Sequence, residues 1–310
     1  MSPGMPVAIR FSSVSKTFGE VRALDDLDFN APTGSVTVLL GPNGAGKTTT
    51  VRLTTGAMRA DAGTIEVLGE VPSEDGSDLR RRLGVVPPKP AFYDQLTGWE
   101  NLVFAARIFE ASEHSAREAA TRFGIDHALD LEVGGYSTGM RTRLALARSV
   151  IHDPEILLLD EPTAGLDPES SRAVLDLIRD LAGRGRTIVM CTHLLHEAEG
   201  IADQVVLMED GHARAAGHPR ELARRYLADH VVIFDAEDRD LLSSLERSDG
   251  VLRFKRNGHV EVALDDPGRL PDLVASLVTA GARLTRVEPV EPTLEDLYFE
   301  MQRRHREGSL

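Results

Sequence analysis

Gly41-Pro42-Asn43-Gly44-Ala45-Gly46-Lys47-Thr48 is the stretch on which the reading of this chain turns. It fills every fixed position of the pattern G-x-x-x-x-G-K-[ST]. Ser35 to Leu40 reads as a short buried strand leading into it, and Thr49 onward reads as a helix. In that setting glycines let the loop turn tightly, and no Cβ blocks the approach of backbone N–H groups to phosphate. The start of the following helix adds further attraction for negative charge. Lys47 is then placed to reach β- and γ-phosphates, and the Thr48 hydroxyl to bind Mg²⁺. Gly41, Pro42, Asn43, Gly44, Ala45, Gly46, Lys47, Thr48 and Thr49 are thus candidate nucleotide-binding residues. A glycine-rich turn with a chance lysine matches the pattern in about one per cent of chains this long. The flanking strand and helix lower that further.

The 310 residues suggest about two domains. At 42% hydrophobic and 27% charged, the composition is that of an ordinary globular protein with ample core. A formal net charge of −14 argues against nucleic acid as a partner, because such binders usually carry a basic face. Cys191 is the sole cysteine, which forbids an internal disulfide and fits a reducing compartment. No apolar run approaches the roughly 18 residues of a membrane span, and no signal peptide is read. If the protein acts at a membrane, another chain must supply the span.

Met1 to Pro6 reads as a loose leader. Val7 to Val14 reads as an edge strand, ended by a turn at Lys16-Thr17-Phe18-Gly19, with a second strand over Ala23 to Asn30. Gly63 to Leu68 closes a small β-rich layer, and the acidic stretch Glu70 to Asp78 reads as a loop. Leu83 to Val86 is a strand stopped by Pro87 and Pro88, and helices follow over Gly98 to Phe109 and Ser115 to Phe123. At Tyr136-Ser137-Thr138-Gly139-Met140 another helix begins, with Ser137 as N-cap and Met140, Leu144, Ala147 and Ile151 at helical spacing. Ser170 to Leu181 and Leu194 to Ala202 read as helices around a buried strand, Thr187 to Cys191. A hairpin over Val205 to Ala216 follows. Strands alternating with helices imply a mainly parallel sheet. After about His218 the order becomes β-α-β-β-α-β, from His230 to Val290, which suggests a small ferredoxin-like domain. Thr293 caps a final helix to Arg304.

Ile156-Leu157-Leu158-Leu159-Asp160-Glu161 suits a fully buried parallel strand that ends in two carboxylates. Beside a phosphate loop, Asp160 holds Mg²⁺ directly or through water, and Glu161 is placed to polarise an attacking water. His193, after the next strand, is placed to hydrogen-bond a γ-phosphate and orient that water. Alone it would more often be structural. His193-Leu194-Leu195-His196-Glu197 also invites a metal reading, but it is not H-E-x-x-H.

From Val7 to His218 the chain resembles the nucleotide-binding subunit of an ABC transporter. Gly41 to Thr48 fits the Walker A loop, Ile156 to Asp160 the Walker B strand and Glu161 the catalytic glutamate. Phe18 fits the aromatic that stacks on adenine, Ala164-Gly165-Leu166-Asp167 the D-loop, and His193 the switch histidine. Tyr136 to Met140 fits the signature in the Y-S-x-G-M form, which resembles exporters of daunorubicin-resistance type. The resemblance implies an α/β P-loop ATPase fold, with a helical subdomain at about 88–153 inside an ATP-binding domain at 7–218. An α+β accessory domain would follow at 228–310, whose Glu291-Pro292-Thr293-Leu294-Glu295-Asp296-Leu297-Tyr298 resembles that subfamily's terminal helix. That domain reads either as dimer support or regulation, or as a packing add-on. The implied cofactors are ATP and Mg²⁺, and the implied activity is ATP hydrolysis. The implied partners are a separate transmembrane permease, docked around Phe92 to Ala106, and a second ATP-binding subunit, a homodimer for preference. The implied place is the cytoplasmic face of the membrane. Ser137, Thr138 and Gly139 would meet the γ-phosphate held by the other subunit, and Asp167 belongs to the same set of nucleotide-binding residues. Two chains then sandwich two ATP molecules head to tail, and charge-assisted hydrogen bonds of roughly 1.5–3 kcal/mol each close the pair.

Four positions depart from the family pattern. Pro88 stands where a glutamine usually lies; it offers no side-chain oxygen and stiffens a loop that normally moves. Gln95, seven residues on, falls where the pattern is variable. Thr138 and Met140 depart from the common signature but suit the subfamily form, and Phe18 replaces a commoner tyrosine while keeping a stacking face. Two other readings compete. One is an ABC-type ATPase working on DNA or ribosomes, disfavoured by the short Lys47–Ser137 gap, the single set of motifs and the acidity. The other is a permease regulator that binds ATP and barely hydrolyses it; Glu161 and His193 oppose it, and Pro88 leaves it open. Cargo binds the permease, so drug, lipid and polysaccharide all stand.

Overall fold

The computed structural model describes residues 6–227 and 230–306. The expected leader up to Met5 and the residues after 306 lie outside that range. Two compact units, Met1–His218 and Pro219–Leu310, divide the chain.

The first unit opens with β1 (Val7–Phe18) and β2 (Val21–Pro32), a long hairpin, followed by β3 (Val36–Leu40), α1 (Lys47–Thr54) and β4 (Ala62–Val67). β1 is the middle strand of an antiparallel layer, in the order β2-β1-β4, and not the expected edge. Its second side is taken by β4, through Ile9↔Val67 and Phe11↔Ile65. Nor does Lys16-Thr17-Phe18 turn. The strand runs on because Thr17 pairs with Arg22 and Phe18 with Val21, and because Asp61 accepts from Lys16 Nζ and Thr17 N at 2.7 Å each. The turn falls at Gly19, whose φ of +58° suits glycine.

After β4 the chain makes the short α2 (Ser77–Arg81), β5 (Leu83–Val86), and three helices, α3 (Gly98–Ile108), α4 (Glu113–Arg122) and α5 (Thr138–Val150). Thr97 starts α3 with a reciprocal cap, accepting from Glu100 N while Glu100 accepts from Thr97 N. Ser137 Oγ accepts from Met140 N at 3.2 Å and starts α5 as expected, a cap worth about 1 kcal/mol. Then follow β6 (Ile156–Asp160), α6 (Pro168–Gly183), β7 (Thr187–Thr192), α7 (Leu195–Ile201), β8 (Gln204–Glu209) and β9 (His212–Gly217). The six-stranded sheet runs β5-β6-β7-β3-β8-β9, parallel except for the last pair. Every residue of β3, β6 and β7 is buried, which is why these strands show no regular polar alternation. One apolar core joins them to the antiparallel layer through Phe11, Leu24, Leu39, Val51, Leu158 and Val189.

The second unit begins with α8 (Pro219–Tyr226), upstream of the expected start at 228. It continues with β10 (His230–Ala236), a 3₁₀ turn, β11 (Val251–Arg256), β12 (Val260–Leu264), α9 (Leu270–Thr279), β13 (Leu284–Pro289) and α10 (Leu294–Arg306). The antiparallel order β11-β12-β10-β13 is that of a ferredoxin-like fold. Its first helix is reduced to the 3₁₀ segment Leu241–Arg247, later than the expected Glu237–Leu245. Asp238 accepts from Asp240 N just before it, and only Leu242 and Leu245 are buried, too few to support a longer helix. Thr293 Oγ1 accepts from Asp296 N and caps α10 as expected. Among the described residues no helix is long and apolar enough to cross a membrane.

Candidate functional site

Strand order gathers the site. β6, β7 and β3 are parallel neighbours, with Asp160 level with Cys191 and Thr192 level with Leu40. Their C-terminal ends therefore share one edge of the sheet, where crevices form in open α/β folds. From that edge emerge the loop Gly41–Gly46 after β3, Glu161 after β6 and His193 after β7. Gly41 N donates to Thr192 O at 3.3 Å and Glu161 N to Cys191 O at 3.0 Å, which ties the three ends together.

The loop is held close on both sides. A Cβ on Gly41 would lie 2.2 Å from Met208 O, and one on Gly46, at φ +99°, 2.6 Å from Ala23 O. Lys47, 6% exposed, turns its ammonium back into the loop. It donates to Gly41 O at 2.6 Å and Pro42 O at 3.2 Å, and lies 3.5 Å from Glu161 Oε1. The other Glu161 oxygen accepts from His193 Nδ1 at 2.9 Å. Glu161 thus spans the phosphate-loop lysine and the strand-end histidine. Its backbone is left-handed, φ +53°. That conformation costs a non-glycine residue on the order of 1–3 kcal/mol and recurs at functional sites.

Asp160 is 2% exposed, and neither carboxylate oxygen has a hydrogen-bond partner among the described residues. Burial pushes its carboxyl above the usual range, and the Glu161 charge adds to this. The Thr48 hydroxyl, Lys47 and Arg52 pull the other way, the hydroxyl without meeting hydrogen-bond geometry. A buried carboxylate with no donor and a hydroxyl nearby fits a hard cation. No cluster of three or more His, Cys, Asp or Glu among the described residues forms a cation cage. Any Mg²⁺ there takes its remaining oxygens from phosphate and water, as that ion prefers. The expectation is then specific. Without nucleotide at pH 7, Asp160→Asn melts higher than the native chain. The native carboxyl titrates higher folded than unfolded, so its penalty fades as pH falls and the gap closes. In MgATP the order reverses. Calorimetric scans at pH 7 and pH 5, with and without MgATP, check this; a variant that gains as much from MgATP as the native chain overturns it.

His193 and His196 are both exposed, and the short metal-like run that holds them assembles no cation site among the described residues. Glu197 is buried and accepts from Thr192 Oγ1 at 3.0 Å, and Thr192 Oγ1 accepts from Leu194 N. That bonded pair fixes the loop carrying His193, a role that no sequence motif reveals. Its only trace in the sequence is an acid in the first turn of α7. Asp167 gives its carboxylate to the start of α6, accepting from Glu169 N and from Ser170 N and Oγ. Ser137 and Thr138 are exposed at the N-terminus of α5, and Gly139 lies near Leu166 and Ser170. Among the described residues no hydrogen bond joins Ser137–Gly139 to the phosphate loop. Phe18 is 45% exposed at the hairpin tip, with Lys16 Nζ 5.6 Å from its centroid. Pro88 lies in an exposed bend just past β5, whose Val86 is level with Leu159.

Known proteins resemble this chain along most of its length. The family described as "ABC transporter" matches residues 24–164, and that described as "ATP-binding protein DrrA1-3-like, C-terminal domain" matches 217–301. The daunorubicin/doxorubicin resistance ATP-binding protein DrrA of Streptomyces peucetius is 37% identical, over 84% of this chain and 82% of its own. The chain belongs to the ATP-binding subunits of ABC transporters. The Nod factor export ATP-binding protein I of Rhizobium sp. (strain N33) is 34% identical across 97% of this chain and 99% of its own. A solved "ATP binding subunit of ABC transporter" aligns at TM-score 0.65 and 27% identity, covering 71% of this chain and 93% of its own. The chain is therefore an ATP-binding ABC transporter ATPase of the DrrA-like family. It has the ABC ATPase fold and a DrrA-like C-terminal domain, whose antiparallel sheet takes the ferredoxin-like order.

Proposed function

We propose that this chain hydrolyses MgATP to energise a separate transmembrane permease that exports a drug, lipid or polysaccharide. The observation that carries the reading is Glu161 held between Lys47 and His193 at the sheet edge that bears the phosphate loop. Lys47 and the loop N–H groups, from Gly41 to Thr49, bind the phosphates, and Phe18 stacks on the adenine. Thr48 and Asp160 hold Mg²⁺, which supplies charge neutralisation at the phosphates. Glu161 takes a proton from the attacking water, and His193 orients that water. Ser137, Thr138 and Gly139 of a second copy close over the γ-phosphate, with Asp167 in the same set, so that ATP joins two chains into one dimer. The 7–218 segment is the ATP-binding domain and 228–310 the accessory domain. The assembly works at the cytoplasmic face of the membrane.

Turnover by the purified chain, alone and with its permease, tests this; no turnover in either state sinks it. A second reading, an ATP-binding regulator with little hydrolysis, draws on Pro88 past the strand that pairs with β6. Pro88→Gln restores a side-chain amide and a mobile loop there. It is expected to raise permease-stimulated turnover severalfold and to leave the unstimulated rate unchanged. Unaltered stimulated turnover removes Pro88 from the coupling path.

A further inference from the structure

The β1–β2 hairpin that carries Phe18 rests on the phosphate loop. A Cβ on Gly46 would lie 2.4 Å from Leu24 Cδ2 and 2.6 Å from Ala23 O, so β2 meets the loop with no room to spare. Leu24 is level with Lys16, and from there the hairpin runs on to its last pair, Phe18↔Val21. Phe18 thus stands at a tip whose root is anchored on the loop, and its ring is 45% exposed.

The β1–β2 ladder alone does not steady that tip. Its register slips between Val14 and Lys16 and again between Lys16 and Thr17. The pairing of β1 with β4 ends at Ser15↔Ala62, so among the described residues no strand flanks that edge of β1 beyond Ser15. Asp61, the residue before β4, takes the place of one. Its N–H donates to Ser15 O at 2.9 Å, while Oδ1 accepts from Lys16 Nζ and Oδ2 from Thr17 N, at 2.7 Å each. One residue therefore grips Ser15, Lys16 and Thr17 in succession, and Phe18 is next. Lys16 is held in turn: its side chain is only 16% exposed, and its ammonium lies over the Phe18 ring, 5.6 Å from the centroid. A short connector joins Asp61 back to α1, which starts at Lys47, and Met58 and Ala60 of that connector pack on the core. The grip on the tip and the phosphate loop thus belong to one packed body.

We propose that Asp61 is a positioning residue for the base of the nucleotide, its carboxylate holding Phe18 at a fixed reach from the phosphate loop. The inference rests on the stacking of Phe18 on adenine in the reading above, and adds what makes that stack effective. The base and the phosphates of one nucleotide stand a set distance apart. A ring already held at that reach contributes its stacking in full, whereas a ring on a loose tip must first be ordered, and that cost is subtracted from affinity. Asp61 does this without touching the nucleotide.

The test measures binding of the non-hydrolysable β,γ-imido analogue of ATP and of inorganic tripolyphosphate, each with Mg²⁺, to the full chain by titration calorimetry. Phe18→Ala is expected to weaken the ATP analogue on the order of 5- to 100-fold, the loss of one stacked base, and to leave tripolyphosphate unchanged. Asp61→Ala weakens the analogue roughly 3- to 10-fold, a part of that loss. It too leaves tripolyphosphate unchanged, which also reports a folded phosphate loop. Added to Phe18→Ala, it costs no more than about twofold further, because the two act through one ring. Asp61→Asn keeps the size and an acceptor for Thr17 N but not the charge that holds Lys16; it gives a smaller loss in the same direction, with less risk to the fold. Tripolyphosphate affinity that falls together with that for the analogue overturns the proposal. So does a loss that adds in full to that of Phe18→Ala, and so does native affinity for the analogue in both Asp61 variants. If Phe18→Ala binds the analogue as the native chain does, the stacking reading fails and the clasp goes with it. If Phe18→Ala binds weakly and Asp61→Ala binds normally, the clasp alone is lost.

Discussion

Glu161→Gln is expected to cut ATP turnover by roughly 10²–10⁴-fold, the usual worth of a positioned general base, while the chain still folds and holds ATP. The substitution is nearly isosteric, and the left-handed backbone at this position strains glutamine no more than glutamate. The His193 Nδ1–H that now donates to the carboxylate at 2.9 Å still finds an amide oxygen. What disappears is proton affinity and negative charge. Loss of the charge also frees Lys47, which lies 3.5 Å from Glu161 Oε1 and donates to the carbonyls of Gly41 and Pro42. A lysine with one competitor fewer is more available to phosphate, so affinity for ATP should hold or rise. Slow chemistry with undiminished binding leaves ATP in both half-sites of the proposed pair. The variant with MgATP should therefore run as a dimer on a sizing column, and the native chain should return to monomer as it consumes ATP. Turnover within about fivefold of native, far short of the loss of a general base, places the base on another residue. Slow turnover without a dimer keeps Glu161 as the base and removes the two-chain sandwich.

The parts of this site that lie within single runs of sequence are legible from the residues alone. Gly41 to Thr48 is one such run, and Asp160-Glu161 after four apolar residues is another. Ser137 and Thr293 as helix caps are legible for the same reason, since a cap acts within one turn. What bonds Glu161 to Lys47 and His193 is different in kind. It depends on β6, β7 and β3 being parallel neighbours, which is a fact of strand order. The place of β1 is not legible, because its second partner, β4, lies beyond the whole phosphate-loop segment. The 3₁₀ turn at Leu241–Arg247 reads as a helix because the apolar spacing gives no sign of how few residues find a core.

Lys47→Ala is expected to weaken ATP binding by about 10²–10⁴-fold, the loss of two charge-assisted hydrogen bonds to phosphate at roughly 1.5–3 kcal/mol each. The lower end is the better expectation, because ATP must first draw the ammonium away from Gly41 O, at 2.6 Å, and from Glu161. Those contacts make a second effect. In the variant the two loop carbonyls lose their donor, and Glu161 and the buried, unpartnered Asp160 lose a nearby cation. The nucleotide-free chain should then melt lower, by the equivalent of about 1–3 kcal/mol. Lys47→Arg keeps the charge but brings a broad planar fork into a slot shaped for a compact ammonium, and should recover little binding. Calorimetric titration with ATP and a thermal scan without it separate the two effects. A variant that melts lower and binds ATP normally confines Lys47 to holding the loop. It also moves the phosphates elsewhere, and with them the case for Glu161 and His193, which depends on their standing beside this loop.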